Sequence, residues 1–553
     1  MEAAFLTNQI SSVTLGDFPM NTHPSRCIRC LSWLRIRSNY ASVCLLIIFT
    51  GALIQPSAQT TQRRRARPAQ PGQEKPFIEP VEMHKAPLRA LETQPAQRGR
   101  WDTLPELMPI NPVHVALMYN SKVLVISGSG NDPNNKDFQA GVWDPVTGTV
   151  RTFPIRWDMF CNGMVILPNG RPLVLGGTIK YDDFLGEPRT ATFDPTTETF
   201  TDTAPMSGGR WYPTGTVLGN GSVLVVSGLT DTSSTVNTTV QILVAGNWTP
   251  AGTIFAGVPL YPRQHLLPNG QVFECGANRD SKMFDPATNA WFEVATTNLP
   301  ANRDYGTSVL LPLTPANGFK PRVMILGGAN PATNTTELID LSVSQPVWVN
   351  GPTMAHARIQ LNATILPNGK VVVSGGSSND ENGETAALET ELYDPDANSF
   401  SPGSPMAFPR LYHSNTILLP DATVLAVGGN PARTVYEPHI EIYSPPYLFN
   451  SDGSLARRPL ITRIDRDIRY GANFYIRTPH PGDIKSVVLI RPGAATHAFD
   501  MEQRLVGMTF THTNSQLYVK APANGNLAPP GYYMVFILDS KGVPSKAAFV
   551  RLT

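Results

Sequence analysis

Charge is scarce in this chain and evenly split. Only 16% of residues are Asp, Glu, Lys or Arg, and the formal net charge is +1. A balance of that kind excludes a molecule drawn to nucleic acid by its overall field. Cysteine is scarcer still, five in 553 residues. Cys27, Cys30 and Cys44 fall in the N-terminal stretch, so Cys161 and Cys275 alone remain for the rest of the chain and a disulfide-built scaffold is excluded. The apolar run 41–54 is shorter than the ~20 residues of an ordinary membrane span. Between residues 101 and 443 no helical period of convincing length or capping appears. The length is too great for one compact core, and two or more domains are expected.

Glycine and proline are plentiful, 44 and 51 residues spread along the chain. With few charges, they suit many short strands joined by tight turns. The N-terminus reads differently. Arg26, Arg29, Arg35 and Arg37 precede the apolar run, and Ser57 and Ala58 follow it. Residues 1–58 therefore read as a secretory leader or an uncleaved signal anchor, and an exported, extracellular, periplasmic or cell-surface protein is expected. Residues 59–100, rich in Gln, Pro and Arg and without periodicity, read as a linker. Whether its Arg63-Arg64-Arg65 run touches an anionic surface or is simply solvated stays open.

From residue 101 a unit repeats seven times: an apolar strand, a turn often written Pro-Asn-Gly, and a second apolar strand. The second strands fall at 122–128, 171–177, 222–228, 271–277, 322–328, 370–376 and 423–429. Their turns end at Ser121, Gly170, Gly221, Gly270, Pro321, Gly369 and Ala422, at intervals of 49, 51, 49, 51, 48 and 53. Aromatic-Asp-Pro steps such as Phe193-Asp194-Pro195 and Tyr393-Asp394-Pro395 mark a further hairpin in several units. Paired strands at a period of about fifty residues predict a seven-bladed kelch-type β-propeller over 101–450. Its first blade is expected to open near Trp101 and its last to close near Pro445. Beyond Arg458 the frame is lost, and short alternating strands predict an Ig-like β-sandwich over 458–553. The fold class is all-β.

The first strand of each blade should line the central channel. The residue seven before each turn then faces the axis at one end, which gives Cys161, Tyr212, Tyr261, Tyr305, Gln360 and His413. Imidazole nitrogens with tyrosine oxygens suit copper(II) in a tetragonal arrangement. Neighbours on a regular strand point to opposite faces, so Tyr412 could join His413 only if the chain is broken there, a break that Pro409 permits. Propeller tyrosines often just fill the channel and a lone histidine is most often structural. Packing and metal binding both remain open on spacing alone. The repeat sets Cys161 and Cys275 in non-neighbouring units, against a disulfide, and Cys275 reads as a core residue.

Taken together, six pieces carry a resemblance: Phe160-Cys161, Arg210-Trp211-Tyr212-Pro213, Arg410-Leu411-Tyr412-His413-Ser414, Tyr443-Ser444-Pro445-Pro446-Tyr447-Leu448, Thr496-His497-Ala498-Phe499 and Pro529-Pro530-Gly531-Tyr532-Tyr533. They resemble, in order and through both domains, the copper radical oxidases, which are galactose oxidase and, more closely, glyoxal oxidase. The resemblance implies copper bound by Tyr212, Tyr412, His413 and His497, with the C-terminal domain an E-set sandwich that supplies His497. It implies a thioether between Cys161 and Tyr212 as a radical cofactor, and Tyr412 as general base. The implied reaction oxidises a small aldehyde hydrate or primary alcohol and reduces dioxygen to hydrogen peroxide. In galactose oxidase a tryptophan stacks on the cross-linked ring; the corresponding loop here, 228–231, has none, and Trp211 and Trp157 are the candidates to replace it. The sugar-contacting residues also lack a match at Ala329-Asn330-Pro331, which argues against galactose as substrate. Arg303 and Arg358, two residues before Tyr305 and Gln360, are candidates for shaping the substrate pocket or for structural hydrogen bonds. A monomer with some cell-surface or polysaccharide association is expected, and no nucleic-acid partner. The alternative is a non-catalytic kelch module binding glycans or a protein.

Overall fold

The computed structural model describes residues 94–553. The expected leader, 1–58, and all but the end of the linker lie outside the described residues. Each Pro-Asn-Gly turn closes on a backbone bond: the N–H of Gly170 donates to Leu167 O at 2.8 Å, and those of Gly270 and Gly369 donate to Leu267 O and Leu366 O at 2.9 Å. All three glycines are left-handed, with φ of 82°, 91° and 85°, as a three-residue hairpin loop requires at its last position. Ser121 and Ala422 adopt the same geometry with a side chain, at 71° and 67°.

Among the described residues these hairpins build seven antiparallel sheets. The inner strands are His114–Leu117, Gly163–Ile166, Thr214–Val217, Arg263–Leu266, Thr307–Leu310, Asn362–Ile365 and Ser414–Leu418. Each packs against the inner strand of the next sheet, and the last packs against the first, so the ring is closed. Second strands such as Val123–Gly128 and Val223–Val226 are wholly buried, whereas fourth strands such as Asn247–Thr253 alternate toward solvent. One strand departs from the sequence-based expectation. Arg100–Leu107, expected to open the first blade, instead pairs antiparallel with His439–Ser444 and becomes the outer strand of the last sheet. The N-terminal end of the propeller thus closes the ring, and the Trp101 Nε1–H donates to Thr390 and to Ser404 O in the sheet before it.

Residues 463–552 form two sheets, one containing Asn473–Arg477 and Gln516–Lys520, the other Gly531–Asp539 and Ile484–Ile490. Phe474, Ile476, Leu489, Leu517, Val535 and Ile537 fill the space between them. The connection after Ile484–Ile490 leaves the sandwich and enters the propeller. Its strand Ala494–Thr496 adds to the edge of His114–Leu117, extending the first sheet to six strands with Phe499–Asp500. Arg491 Nη2–H donates to Ile166 O, Arg504 Nη1–H to Leu266 O, and the Gln503 side chain bonds Ala363 O and Ile365 N. One segment therefore bonds to four different inner strands.

Three blades are each tied internally by a buried ion pair between a residue just before the inner strand and the third strand of the same sheet. Arg303 meets Glu337 at 2.8 Å, Arg358 meets Glu391 at 2.9 Å and Arg410 meets Glu441 at 2.8 Å. The Arg303 and Arg358 side chains also donate to backbone oxygens, Gly327 O and Gly375 O among them. This corrects their candidacy for the substrate pocket: both guanidiniums are buried and spent on inter-strand bonds. Removing one partner strands a buried charge. Glu391→Ala should destabilise the protein by about 3 kcal/mol or more, seen as a lowered unfolding midpoint. Asp202→Ala, breaking the exposed pair with Arg156, should cost under about 1 kcal/mol.

Candidate metal centre

At one end of the ring, in six of the seven blades, a residue one or two positions before the inner strand turns left-handed: Cys161 (φ 61°), Tyr212 (68°), Tyr261 (46°), Tyr305 (55°), Gln360 (60°) and His413 (65°). None is glycine, so each position costs about 1–3 kcal/mol and persists only where its surroundings enforce it. Part of that enforcement runs from blade to blade. Tyr212 N–H donates to Cys161 O and Tyr261 N–H to Tyr212 O, both at 3.0 Å, and Gln360 N–H donates to Tyr305 O at 2.6 Å. The kink also breaks strand alternation at His413, which is what allows the Tyr412 and His413 side chains to share one site, their rings 3.9 Å apart.

His497 comes from the other domain. With Ala498 it forms the two-residue turn between Ala494–Thr496 and Phe499–Asp500, both residues left-handed at 48° and 67°, as a type I′ hairpin demands. The turn delivers the imidazole to the ring. Its Nε2 lies 3.0 Å from the Tyr212 hydroxyl and 3.7 Å from Cys161 Sγ. The Tyr212 and Tyr412 hydroxyls are hydrogen-bonded to one another. One donor atom from each of Cys161, His413 and His497 falls within 4.8 Å of the others, and the two imidazoles stand nearly perpendicular at 4.6 Å.

Neighbouring groups fix which nitrogen each histidine presents. His413 Nδ1 is 2.6 Å from Asn430 Oδ1, while Asn430 Nδ2 donates to Val435 O. The amide oxygen therefore accepts, Nδ1 carries the proton, and Nε2 is a bare lone pair, buried without a partner. Thr496 Oγ1 donates to Val113 O at 2.9 Å and so accepts from His497 Nδ1 at 2.6 Å. His497 thus also presents a bare Nε2. Two oriented imidazoles with orphaned or inward lone pairs are the arrangement that a bound cation satisfies.

Electrostatics agree. Burial lowers His413 to about 3. Burial, then the neighbouring His413 and His114, lower His497 well below its usual value. Both imidazoles stay neutral, as ligation needs. Burial pushes the Tyr212 and Tyr412 phenols and the Cys161 thiol well above their ordinary values. A phenolate here requires a positive charge beside it. Two imidazoles and two phenols fit copper(II).

The Tyr212 ring is covered by its own neighbour. Trp211 lies 3.8 Å away, centroid to centroid, at 40°, and Phe184 stacks on Trp211 at 4.2 Å and 17°. Trp157 does not contribute: its Nε1–H donates to Gly176 O, and Arg189 sits over its ring. Sequence reasoning missed His114, a buried residue on the first inner strand whose ring is 6.0 Å from that of His497. It stands two residues after Pro112, the place of the first unit in the same seven-residue count. His512, by contrast, is an exposed strand residue, and Cys161 and Cys275 share no disulfide.

A β-propeller with an inserted sandwich hairpin, closing two phenols, two imidazoles and a thiol on one point, defines a mononuclear metalloenzyme centre. The family described as glyoxal oxidase N-terminus matches residues 137–447, and the galactose oxidase-like Early set domain matches 458–552. The chain is 28% identical to galactose oxidase from Gibberella zeae over 82% of its own length and 71% of that protein. It is 28% identical to aldehyde oxidase GLOX from Vitis pseudoreticulata over 82% of its length and 97% of that one. A fungal alcohol oxidase of the AA5 family, solved in complex with copper, superposes with a TM-score of 0.72 at 25% identity, covering 82% of this chain and 99% of that one. The chain belongs to the copper radical oxidase family, the glyoxal oxidase and galactose oxidase-like oxidoreductases. The bond from Asn430 to His413 gives a direct test. Asn430→Ala, which frees the His413 ring, should weaken Cu(II) binding by about 10–100-fold in a competition titration against a chelator.

Proposed function

We propose that this chain is an exported oxidase of small aldehydes, taken as their hydrates, or of primary alcohols, returning hydrogen peroxide from dioxygen. Tyr212, Tyr412, His413 and His497 would hold one copper ion, and a thioether between Cys161 Sγ and the Tyr212 ring would form the radical cofactor. The observation that carries the reading is His497 Nε2, brought from the sandwich domain to 3.0 Å from Tyr212 and 3.7 Å from the Cys161 sulfur. Export rests on the arginine-flanked apolar stretch alone.

Oxidising R–CH2OH to R–CHO removes two electrons and two protons. Tyr412, half-buried and hydrogen-bonded to Tyr212, is placed to accept the hydroxyl proton as general base. Tyr212, once cross-linked and oxidised, would take the carbon-bound hydrogen atom and with it one electron. Copper, when bound, supplies the second one-electron acceptor and the place where dioxygen is reduced. Thr496 and Asn430 hold the imidazoles through this cycle. Forming the thioether replaces the S–H and an adjacent ring C–H, and the two electrons and two protons released go to dioxygen.

Peptide mapping of copper-loaded, aerated protein should find the Cys161 and Tyr212 peptides joined and two hydrogens lighter than their sum. A free Cys161 thiol, with no peroxide from a broad aldehyde and alcohol panel, would leave a non-catalytic kelch scaffold instead. Trp211 offers a finer test. Trp211→Ala should leave the cross-link in place but shorten the lifetime of the radical absorption several-fold, with kcat falling along with it, by about 10-fold or more; unchanged decay would remove Trp211 from that role.

A further inference from the structure

Three carboxylates, Asp304, Asp380 and Glu381, act on the phenol that stands next to Tyr412. Tyr305, 48% exposed, stands edge-on to Tyr412 at 5.9 Å. Gln360, the next ring position, is only 3% exposed. Its Nε2–H donates to Asp380, which fixes the amide, and its Oε1 is left buried with no partner. Glu381 follows Asp380 in the loop after strand Val371–Ser374. It is left-handed at φ 43°, its side chain is 9% exposed, and its Oε1 is likewise buried and unpartnered. Its other oxygen meets Arg433 at 3.5 Å, but that guanidinium is 83% exposed and the pair is correspondingly weak. Asp304 adds a further exposed carboxylate. The fields of Asp380 and Glu381 reach Tyr305, and that of Glu381 reaches Tyr412.

Two buried oxygens without donors, one on Gln360, whose backbone N–H bonds to Tyr305 O, and one on Glu381, whose field reaches Tyr412, call for a ligand that brings hydrogens. We propose that Gln360, Asp380 and Glu381 recognise the part of the substrate beyond the reacting carbon, and select neutral, hydroxyl-bearing aldehydes or polyols over aldehydes that carry a carboxylate. This rests on the oxidase reading above and names its substrate class. A hydroxyl or gem-diol donates to Gln360 Oε1 and Glu381 Oε1. A substrate carboxylate offers no donor there and meets two or three like charges.

Glycolaldehyde and glyoxylate are of equal length and differ in bearing CH2OH or COO⁻, so they make the probe pair. With copper-loaded full chain and a peroxide readout, kcat/KM should favour glycolaldehyde by about tenfold or more. Glu381→Gln should narrow that preference by about fivefold or more, chiefly by lowering KM for glyoxylate, with Asp380→Asn as an independent second variant. Raising ionic strength should narrow it in the unaltered protein, because screening acts on the exposed charges. Equal use of both substrates by the unaltered protein would overturn the proposal. So would an unchanged preference in both variants when each keeps its radical absorption. Absence of peroxide from either substrate together with a free Cys161 thiol would instead overturn the oxidase reading, and this proposal with it.

Discussion

The ring of left-handed residues is the constraint on which the site depends. A regular strand sends alternate side chains to opposite faces, and residues at the mouth of seven tilted strands would otherwise splay around the channel rim. Holding Cys161, Tyr212 and His413 at φ near 65° turns the chain just before the strand begins. The side chains then point across the axis instead of along the blade. The backbone bonds from Tyr212 to Cys161 and from Tyr261 to Tyr212 link this strain between neighbouring blades, so none of these three can relax without disturbing its neighbour. Strain of this kind gathers at functional sites because a packed surrounding must enforce it.

Docking of the sandwich follows from the same need. The ring supplies one imidazole, and the second has to come from outside the repeat. It arrives on a hairpin that gains main-chain bonds by extending the first sheet and side-chain bonds through Arg491, Gln503 and Arg504 to three further blades. The Arg491 guanidinium is itself neutralised by Glu502, with which it forms a buried pair. Polar groups buried so deeply are tolerable only when each is satisfied. Here that satisfaction fixes the hairpin's depth in the channel, and with it the height of His497 above Tyr212.

What could be read from sequence follows from what is local. The turn that ends each inner hairpin sits a constant distance after the ring position, so Cys161, Tyr212, Tyr261 and His413 could be aligned by counting alone. His497 could not, because the sandwich has no fifty-residue frame; only its likeness to a known family singled it out. Arg303 and Arg358 were visible for their spacing, but their purpose lay 34 and 33 residues on, at Glu337 and Glu391. A similar separation, 31 residues, joins Arg410 to Glu441, a second periodicity that a search for paired charges finds. Trp211 was one of two candidates to cover Tyr212, and only the left-handed turn of Tyr212 explains how adjacent residues can stack. The strand at Arg100–Leu107 belongs to the last blade and not the first, because closure of a ring by its first strand leaves no mark in a linear repeat.

Burial around the centre is uneven, and the unevenness gives the chemistry a direction. Cys161 and His413 are fully enclosed and Tyr212 nearly so, while Tyr412 and His497 are half-buried and Tyr305 stands in solvent. Among the described residues of the centre, Tyr305 and Tyr412 are the phenols that reach toward solvent. The enclosed sulfur and the Trp211–Phe184 stack lie behind the reacting oxygen, in the apolar cluster with Val113, Phe160 and Leu229. A radical on Tyr212 would therefore be kept from water on one face while its oxygen meets substrate on the other. Low dielectric behind and polar groups in front is the same division that raises the phenols and lowers the imidazoles. The positions that make the ligands available to a cation are thus the positions that shield what the cation would help to oxidise.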